Sequence, residues 1–241
     1  RLTFGRDYII PKPFDPRLIA EIPPAVAKAA MESGVAKEPI EDWDRYQNNL
    51  LDRLGSDNKL VRLLLNRART NPKRVVFAEA DQLNVLKAAQ IAYDEGVAIP
   101  ILLGRQDVIR DLMNEIDFDA EIQIIDPKAD EQTERKNRYA DAYWEKHQRD
   151  GVTKYSARKI MRERNYFAAM MVNEGDADAL ITGYSRSYPS VIKPMLQLIG
   201  MAKGVTRVAT TNVMMTQRGP LFLSDTAINI NPNAEDLPRI A

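Results

Sequence analysis

From residue 73 onward, apolar runs alternate with amphipathic stretches. Residues 74–78 form a β-rich apolar run. Asp81 is placed to cap a helix carrying Leu83, Leu86, Ala89 and Tyr93, which ends at Gly96. A second apolar strand over 98–103 stops at Gly104, a helix with Val108, Ile109 and Leu112 follows, and residues 121–125 read as a third strand. Strand–helix–strand alternation with short links predicts a parallel sheet covered by helices, an α/β fold. The strands are nearly continuous in apolar residues, as strands buried on both faces are. Residues 129–150 are charged and helical in pattern, and Thr153 opens a helix that runs through Ile160, Phe167, Met170 and Met171 to Gly175. A strand over 179–182 meets Gly183. Pro189 suits the first turn of a helix with Val191, Ile192, Leu196 and Ile199. Residues 205–215 and 221–223 read as paired strands around Gln217-Arg218-Gly219.

Upstream the pattern is different. Pro11, Pro13, Pro16, Pro23 and Pro24 predict an extended, irregular arm over residues 1–24, following a short strand at 8–10. An Ala-rich helix is expected over 24–34, with Pro24 in its first turn and Gly34 as its stop. Residues 41–70 read as one or two amphipathic helices, with Trp43, Tyr46, Leu50 and Leu54, then Leu60, Leu64 and Ala68, at helical spacing. They form either a connector between two domains or the first layer of the next one. The expected division is 1–40, a helical connector over 41–71, and an α/β domain over 72–241. The chain lacks an initial Met, and its last segment, from Ser224-Asp225-Thr226, opens a unit that is not finished. It is therefore expected to be a piece of a longer polypeptide, its α/β fold incomplete at the C-terminus.

Composition narrows the chemistry. Lys plus Arg and Asp plus Glu both number 34, a net charge of zero that gives no support for nucleic-acid binding or an anionic membrane surface. There is no cysteine, which excludes disulfides, a cysteine nucleophile and thiolate metal sites. The single histidine, His147, excludes a multi-histidine zinc site. No apolar run is long enough to span a membrane and no signal peptide is visible, so the cytoplasm is the default expectation.

Ligands of parallel α/β sheets bind beyond the carboxyl ends of strands. That directs attention to Thr182-Gly183-Tyr184-Ser185-Arg186-Ser187-Tyr188-Pro189-Ser190. Tyr184, Ser185, Arg186 and, one turn into the following helix, Lys193 would suit a phosphate or pyrophosphate beside a stackable ring, helped by free N–H groups at the helix start. A polar loop with a surface arginine is the plainer alternative. Glu79 and Asp81 can form an acid pair, although helix capping is the better reading of Asp81. Asp176 and Asp178 read as turn residues, His147 as part of a solvated helix face, and Met170, Met171, Met214 and Met215 as packing. Asp225 with Thr226 either contacts a ligand or caps. The dinucleotide, Walker and serine-elbow fingerprints are all missing.

Two resemblances meet in the chain. Residues 4–36, with Asp7-Tyr8-Ile9-Ile10-Pro11-Lys12-Pro13-Phe14-Asp15-Pro16-Arg17 and Ala25-Val26-Ala27-Lys28-Ala29-Ala30-Met31-Glu32-Ser33-Gly34, resemble the C-terminal end of a bacterial malic enzyme catalytic region. From about residue 72, the segments Arg74-Val75-Val76-Phe77-Ala78-Glu79-Ala80, Gly96-Val97-Ala98-Ile99-Pro100-Ile101-Leu102-Leu103-Gly104, Ala177-Asp178-Ala179-Leu180-Ile181-Thr182-Gly183 and Ser224-Asp225-Thr226-Ala227 resemble the phosphate acetyltransferase (phosphotransacetylase) family. Their order is that of the hybrid, multimodular NADP-dependent malic enzymes.

The resemblance implies a parent that decarboxylates malate to pyruvate and CO2 while reducing NADP, with a divalent metal (Mg or Mn). Those sites would lie upstream of residue 1, leaving no catalytic residue, metal ligand or cofactor of that reaction in this chain. It also implies a phosphotransacetylase-like module that binds acetyl-CoA or a related acyl-CoA, regulates the malic enzyme and builds a homo-oligomer. Tyr184, Ser185, Arg186 and Lys193 would then hold the phosphate or pantetheine part of acetyl-CoA. Two departures from the family's pattern count against transferase activity. Lys193 stands before Pro194 where the family has arginine, and lysine lacks the bidentate fork. Arg186-Ser187 stands where the family has a His-Ser pair. The family's remaining catalytic serine, arginine and aspartate fall beyond this chain. The alternatives are a working phosphate acetyltransferase or a purely structural oligomerisation module.

Overall fold

Four parallel strands carry the fold: β1 (Lys73–Phe77), β2 (Ala98–Leu103), β3 (Gln123–Ile125) and β4 (Ala179–Ile181), in the order β3-β2-β1-β4. The computed structural model describes residues 17–53, 59–216, 219–229 and 232–240. The expected strand at 8–10 lies outside them, as do Leu54 and most of the turn at 217–219. Val75 aligns with Pro100 on one side of β1 and with Ala179 on the other. The chain thus winds outward from β1 through β2 to β3, then returns to place β4 on the opposite side. The switch point lies between β1 and β4, where such sheets form their ligand crevice.

Side chains alternate between the two faces of the strands. Val76, Ile101, Leu103 and Ile125 point to one face, where they pack with Tyr139, Phe167, Met170 and Met171. That layer comprises α6 (Thr133–His147), α7 (Lys154–Ile160) and α8 (Arg164–Asn173). Phe77 and Leu102 point to the other face, against Leu86, Ala89, Ile109 and Met113. These belong to α4 (Leu83–Asp94) and α5 (Gln106–Glu115). The parallel α/β expectation is met, and Met170 and Met171 are core residues as anticipated.

Four local expectations need correction. The helix from Thr153 is two helices. Thr153 caps α7 through a reciprocal pair with Ser156, but α8 has its own start, where the Glu163 carboxylate accepts from the N–H groups of Asn165 and Tyr166. Asp81 does not cap α4. Gln82 holds that position, and both Asp81 oxygens accept from Arg164 at 2.8 Å. His147 is not on a solvated face. Its side chain is 15 % exposed, its Nδ1 lies 3.0 Å from Asp150 and its Nε2 lies 3.1 Å from the Gln197 carbonyl. Asp176 and Asp178 are more than turn residues. Asp178 pairs with the Arg74 guanidinium and accepts its backbone N–H, while Asp176 accepts from Arg138 and Tyr139.

Residues 64–208 with 232–240 form one compact unit, and residues 1–63 with 209–231 belong to another. In the second unit, α1 (Arg17–Glu32) begins seven residues before the predicted start and contains both Pro23 and Pro24. Leu18, Ile19, Ala20, Pro23, Pro24, Ala27, Ala30 and Met31 are its half-buried or buried described positions, and from Ala20 on they recur at helical spacing. The proline rings thus supply part of the face that packs, and the helix tolerates their missing N–H donors. Gly34, at φ +74°, ends it as expected: its N–H reaches the Met31 carbonyl and that of Val35 reaches Ala30. The amphipathic stretch resolves into α2 (Trp43–Asp52) and α3 (Lys59–Thr70), the latter crossing into the first unit. An antiparallel pair, β5 (Thr211–Thr216) and β6 (Gly219–Ser224), stands where paired strands were expected. Met214 and Met215 in it are 52 % and 37 % exposed, not core. The pair has no covering layer among the described residues of its unit, so neither face of the ribbon is buried.

Candidate functional site

One buried carboxylate organises the switch point. Glu79 follows β1 by two residues and is 1 % exposed. Its Oε1 accepts from the N–H groups of Gly183 (2.8 Å) and Tyr184 (2.9 Å) and from Thr182 Oγ1 (3.3 Å). Its Oε2 accepts from the Ser185 N–H (2.8 Å) and hydroxyl. Burial by itself would raise its pKa, but the Ser185 hydroxyl and the three N–H groups outweigh it and hold the group at about 2. Gly183 sits at φ +106°, a conformation open to glycine, which lets three successive N–H groups converge on one acid.

This arrangement changes the reading of the loop. The backbone donors expected to face a ligand are satisfied internally. α9 (Tyr188–Leu198) offers little more: Pro189 has no N–H, and those of Ser190 and Val191 donate to the Ser187 carbonyl. The sequence-predicted residues also part company. The Tyr184 hydroxyl accepts from Asn84 Nδ2 at 2.7 Å, Ser185 is held by Glu79, and Lys193 is exposed on α9. Only Arg186 reaches the concavity described next.

That concavity is a groove of about 600 Å³ beyond the carboxyl ends of β2 and β3. Gly104 and Arg105 follow β2, Asp126 and Lys128 follow β3, and Tyr155 and Lys159 come from α7. Arg162, Glu163 and Arg164 come from the break between α7 and α8, and Arg186 from the loop after β4. Six of these residues are cationic, but two are committed. Arg105 pairs with Asp107 at 2.6 Å and Arg164 with Asp81 at 2.8 Å. The two acids are also engaged, Asp126 by the Lys128 N–H at 2.8 Å and Glu163 by the α8 amides. Lys128, Lys159, Arg162 and Arg186 form no ion pair with any described residue. The groove therefore holds an excess of unpaired positive charge.

Sequence reasoning found Arg186 and missed Lys128, Lys159 and Arg162. The signal for Lys128 was available: Asp126-Pro127-Lys128 directly follows an apolar strand, the position where sites form. Asp225, at φ +58°, accepts through Oδ1 from the Asn229 N–H (3.1 Å) and side chain (2.9 Å), a local contact that starts no helix. Among the described residues no group of three or more His, Asp or Glu side chains is placed to hold a metal. No helix there is long and apolar enough to cross a membrane.

The winding and the switch-point loop define an α/β protein with a parallel sheet covered by helices. The family model for phosphate acetyl/butaryl transferase matches residues 59–241, and the chain belongs to that family. Over 99 % of its length it is 37 % identical to an NADP-dependent malic enzyme of Haemophilus influenzae. It spans about a third of that relative, 32 % of its length. A phosphate acetyltransferase of Thermoanaerobacterium thermosaccharolyticum is 31 % identical over 76 % of this chain and 56 % of its own. Among solved structures, the EutD phosphotransacetylase from Staphylococcus aureus superposes with a TM-score of 0.67 at 25 % identity, covering 77 % of this chain and 55 % of that one.

Proposed function

We propose that this chain is the phosphotransacetylase-like module of a hybrid malic enzyme, and that it senses acetyl-CoA or a related acyl-CoA and contributes to a homo-oligomer. The parent would decarboxylate malate oxidatively to pyruvate and CO2 with NADP and Mg or Mn. The observation that carries this reading is the extent of the similarity. The malic enzyme match covers 99 % of the chain, whereas the acetyltransferase family model begins at residue 59. Residues 1–58 therefore have counterparts in the malic enzyme, upstream of the acetyltransferase region.

The local chemistry favours sensing over catalysis. The backbone donors after β4 are occupied by Glu79, so they have no capacity to spare for a transferring phosphoryl group. Arg186 and Lys193 remain exposed and able to meet a phosphate, Arg186 through its guanidinium fork and Lys193 as a point charge.

The test is malate-dependent NADP reduction by the full-length protein, titrated with acetyl-CoA. A saturable change in rate is expected, and Arg186→Ala or Lys193→Ala should weaken it while leaving the unliganded rate unchanged. Wild-type acetyl-CoA response in both variants would remove those residues from the site. A flat response in the parent would overturn the sensing role. Formation of acetyl phosphate from acetyl-CoA and phosphate would favour the active-transferase reading instead.

A further inference from the structure

We infer that His147 is a proton-operated latch on the C-terminal end of α9, closed while its ring carries two protons and opened when it loses one. The last carbonyls of a helix find no acceptor role within the helix itself. In α9 the N–H groups of Ile199 and Gly200 both donate to the Met195 carbonyl, and the carbonyls of Gln197 and Leu198 take their donors from another helix, α6. Lys146 Nζ donates to Leu198 at 2.7 Å, and His147 Nε2 lies 3.1 Å from Gln197. The second ring nitrogen, Nδ1, lies 3.0 Å from Asp150 Oδ2. A backbone carbonyl only accepts, and so does an ionised carboxylate. A neutral imidazole has one N–H and can serve one of these two acceptors, whereas the imidazolium serves both.

The groups around the ring are consistent with this. From α6, Tyr143 lies against it, ring centroids 4.8 Å apart, and Lys146 occupies the neighbouring carbonyl. From the turn over 148–150, Asp150 supplies the negative charge. From α8, the Tyr166 hydroxyl donates to Gln197 Oε1 at 2.6 Å and so holds the same residue by its side chain. From α9 comes the negative end of the helix, which attracts a cation. Lys146 alone repels the charged ring. When one proton leaves, the charge-assisted bond to Asp150 is the stronger of the two and keeps the other on Nδ1. Nε2 then turns a lone pair toward the Gln197 carbonyl, and that end of α9 keeps only its Lys146 and Tyr166 tethers. The latch thus fastens the helix that carries Lys193, and does so more firmly at low pH.

Hydrogen–deuterium exchange of the full-length protein, read by mass spectrometry at pH 5.5 and pH 8 and corrected for intrinsic exchange, tests the inference over the interval in which histidines titrate. Protection of the peptide spanning 195–201 should fall roughly tenfold from the lower pH to the higher, the scale of a cation at a helix C-terminus. His147→Gln keeps an amide donor but does not titrate, so the change with pH should vanish in it, circular dichroism reporting that it is folded. Asp150 is 71 % exposed, so Asp150→Asn should leave the fold intact. Its amide can donate to Nδ1 and free the Nε2 proton for Gln197 at either pH, which should flatten the response as well. Equal corrected protection at the two pH values in the wild type, or the full wild-type response in folded His147→Gln or in Asp150→Asn, overturns the inference.

Discussion

At the scale of single residues, Glu79 joins the ends of β1 and β4 by accepting from residues 182 to 185. Removing its carboxylate leaves three partly buried N–H groups without their acceptor, and a fully buried unsatisfied donor would cost about 1–3 kcal/mol. Partial relaxation and water entry reduce the sum over the three, so Glu79→Ala is expected to destabilise by about 3 kcal/mol, with Glu79→Gln somewhat milder because its amide oxygen still accepts. Urea unfolding of the two variants checks this, and wild-type midpoints in both would refute it. The sequence alone showed Glu79 only as one of two acids after a strand. Its partners lie 103 to 106 positions away, beyond the reach of any periodic pattern. Arg186 was legible because it shares a loop with the strand end. Lys159 and Arg162 were not, since on a charged helix they look like solvated surface until the chain folds back over β3.

At the scale of elements, the pattern located helices and strands well and their ends less well. β2 matches its predicted span, because six consecutive apolar or β-favouring residues stop at Gly104. The break between α7 and α8 was hidden because residues 165 to 171 are all buried, so α8 has no polar stripe whose phase would betray a new helix. What separates the two is Glu163, a residue type seldom expected at a cap. Its carboxylate satisfies two of the orphan N–H groups of α8 and places negative charge at the positive end of the helix. Glu163→Ala should therefore lower stability by about 1 kcal/mol, the usual worth of a cap. A variant with unchanged urea midpoint would show that the cap contributes nothing.

At the scale of the molecule, alternation of strand and helix was enough to give the α/β class, while the order β3-β2-β1-β4 emerged only in three dimensions. Which strand pairs with β1 on its second side is decided by long-range packing, and it is that pairing which creates the switch point. The same pairing couples the fold to pH. Glu79 and Asp178 are both held at about 2, the first mainly by hydrogen bonds working against burial, the second by the Arg74 side chain and N–H. In the unfolded chain they titrate near 4.3 and 3.9. Each folded-state value is the lower, so each carboxylate stabilises fully above its unfolded pKa, and that contribution is lost as pH falls from about 4.5 to about 2. The two differ in setting. Asp178 is 37 % exposed beside an exposed arginine and is screened by salt, whereas Glu79 is buried and is not. In about 0.5 M salt the stability lost over this window should therefore come largely from Glu79. Urea midpoints measured across that pH range should fall steeply for the wild type and distinctly less for Glu79→Gln, which has no carboxylate to protonate. Parallel slopes for the two proteins would mean that the acid sensitivity of the fold originates elsewhere.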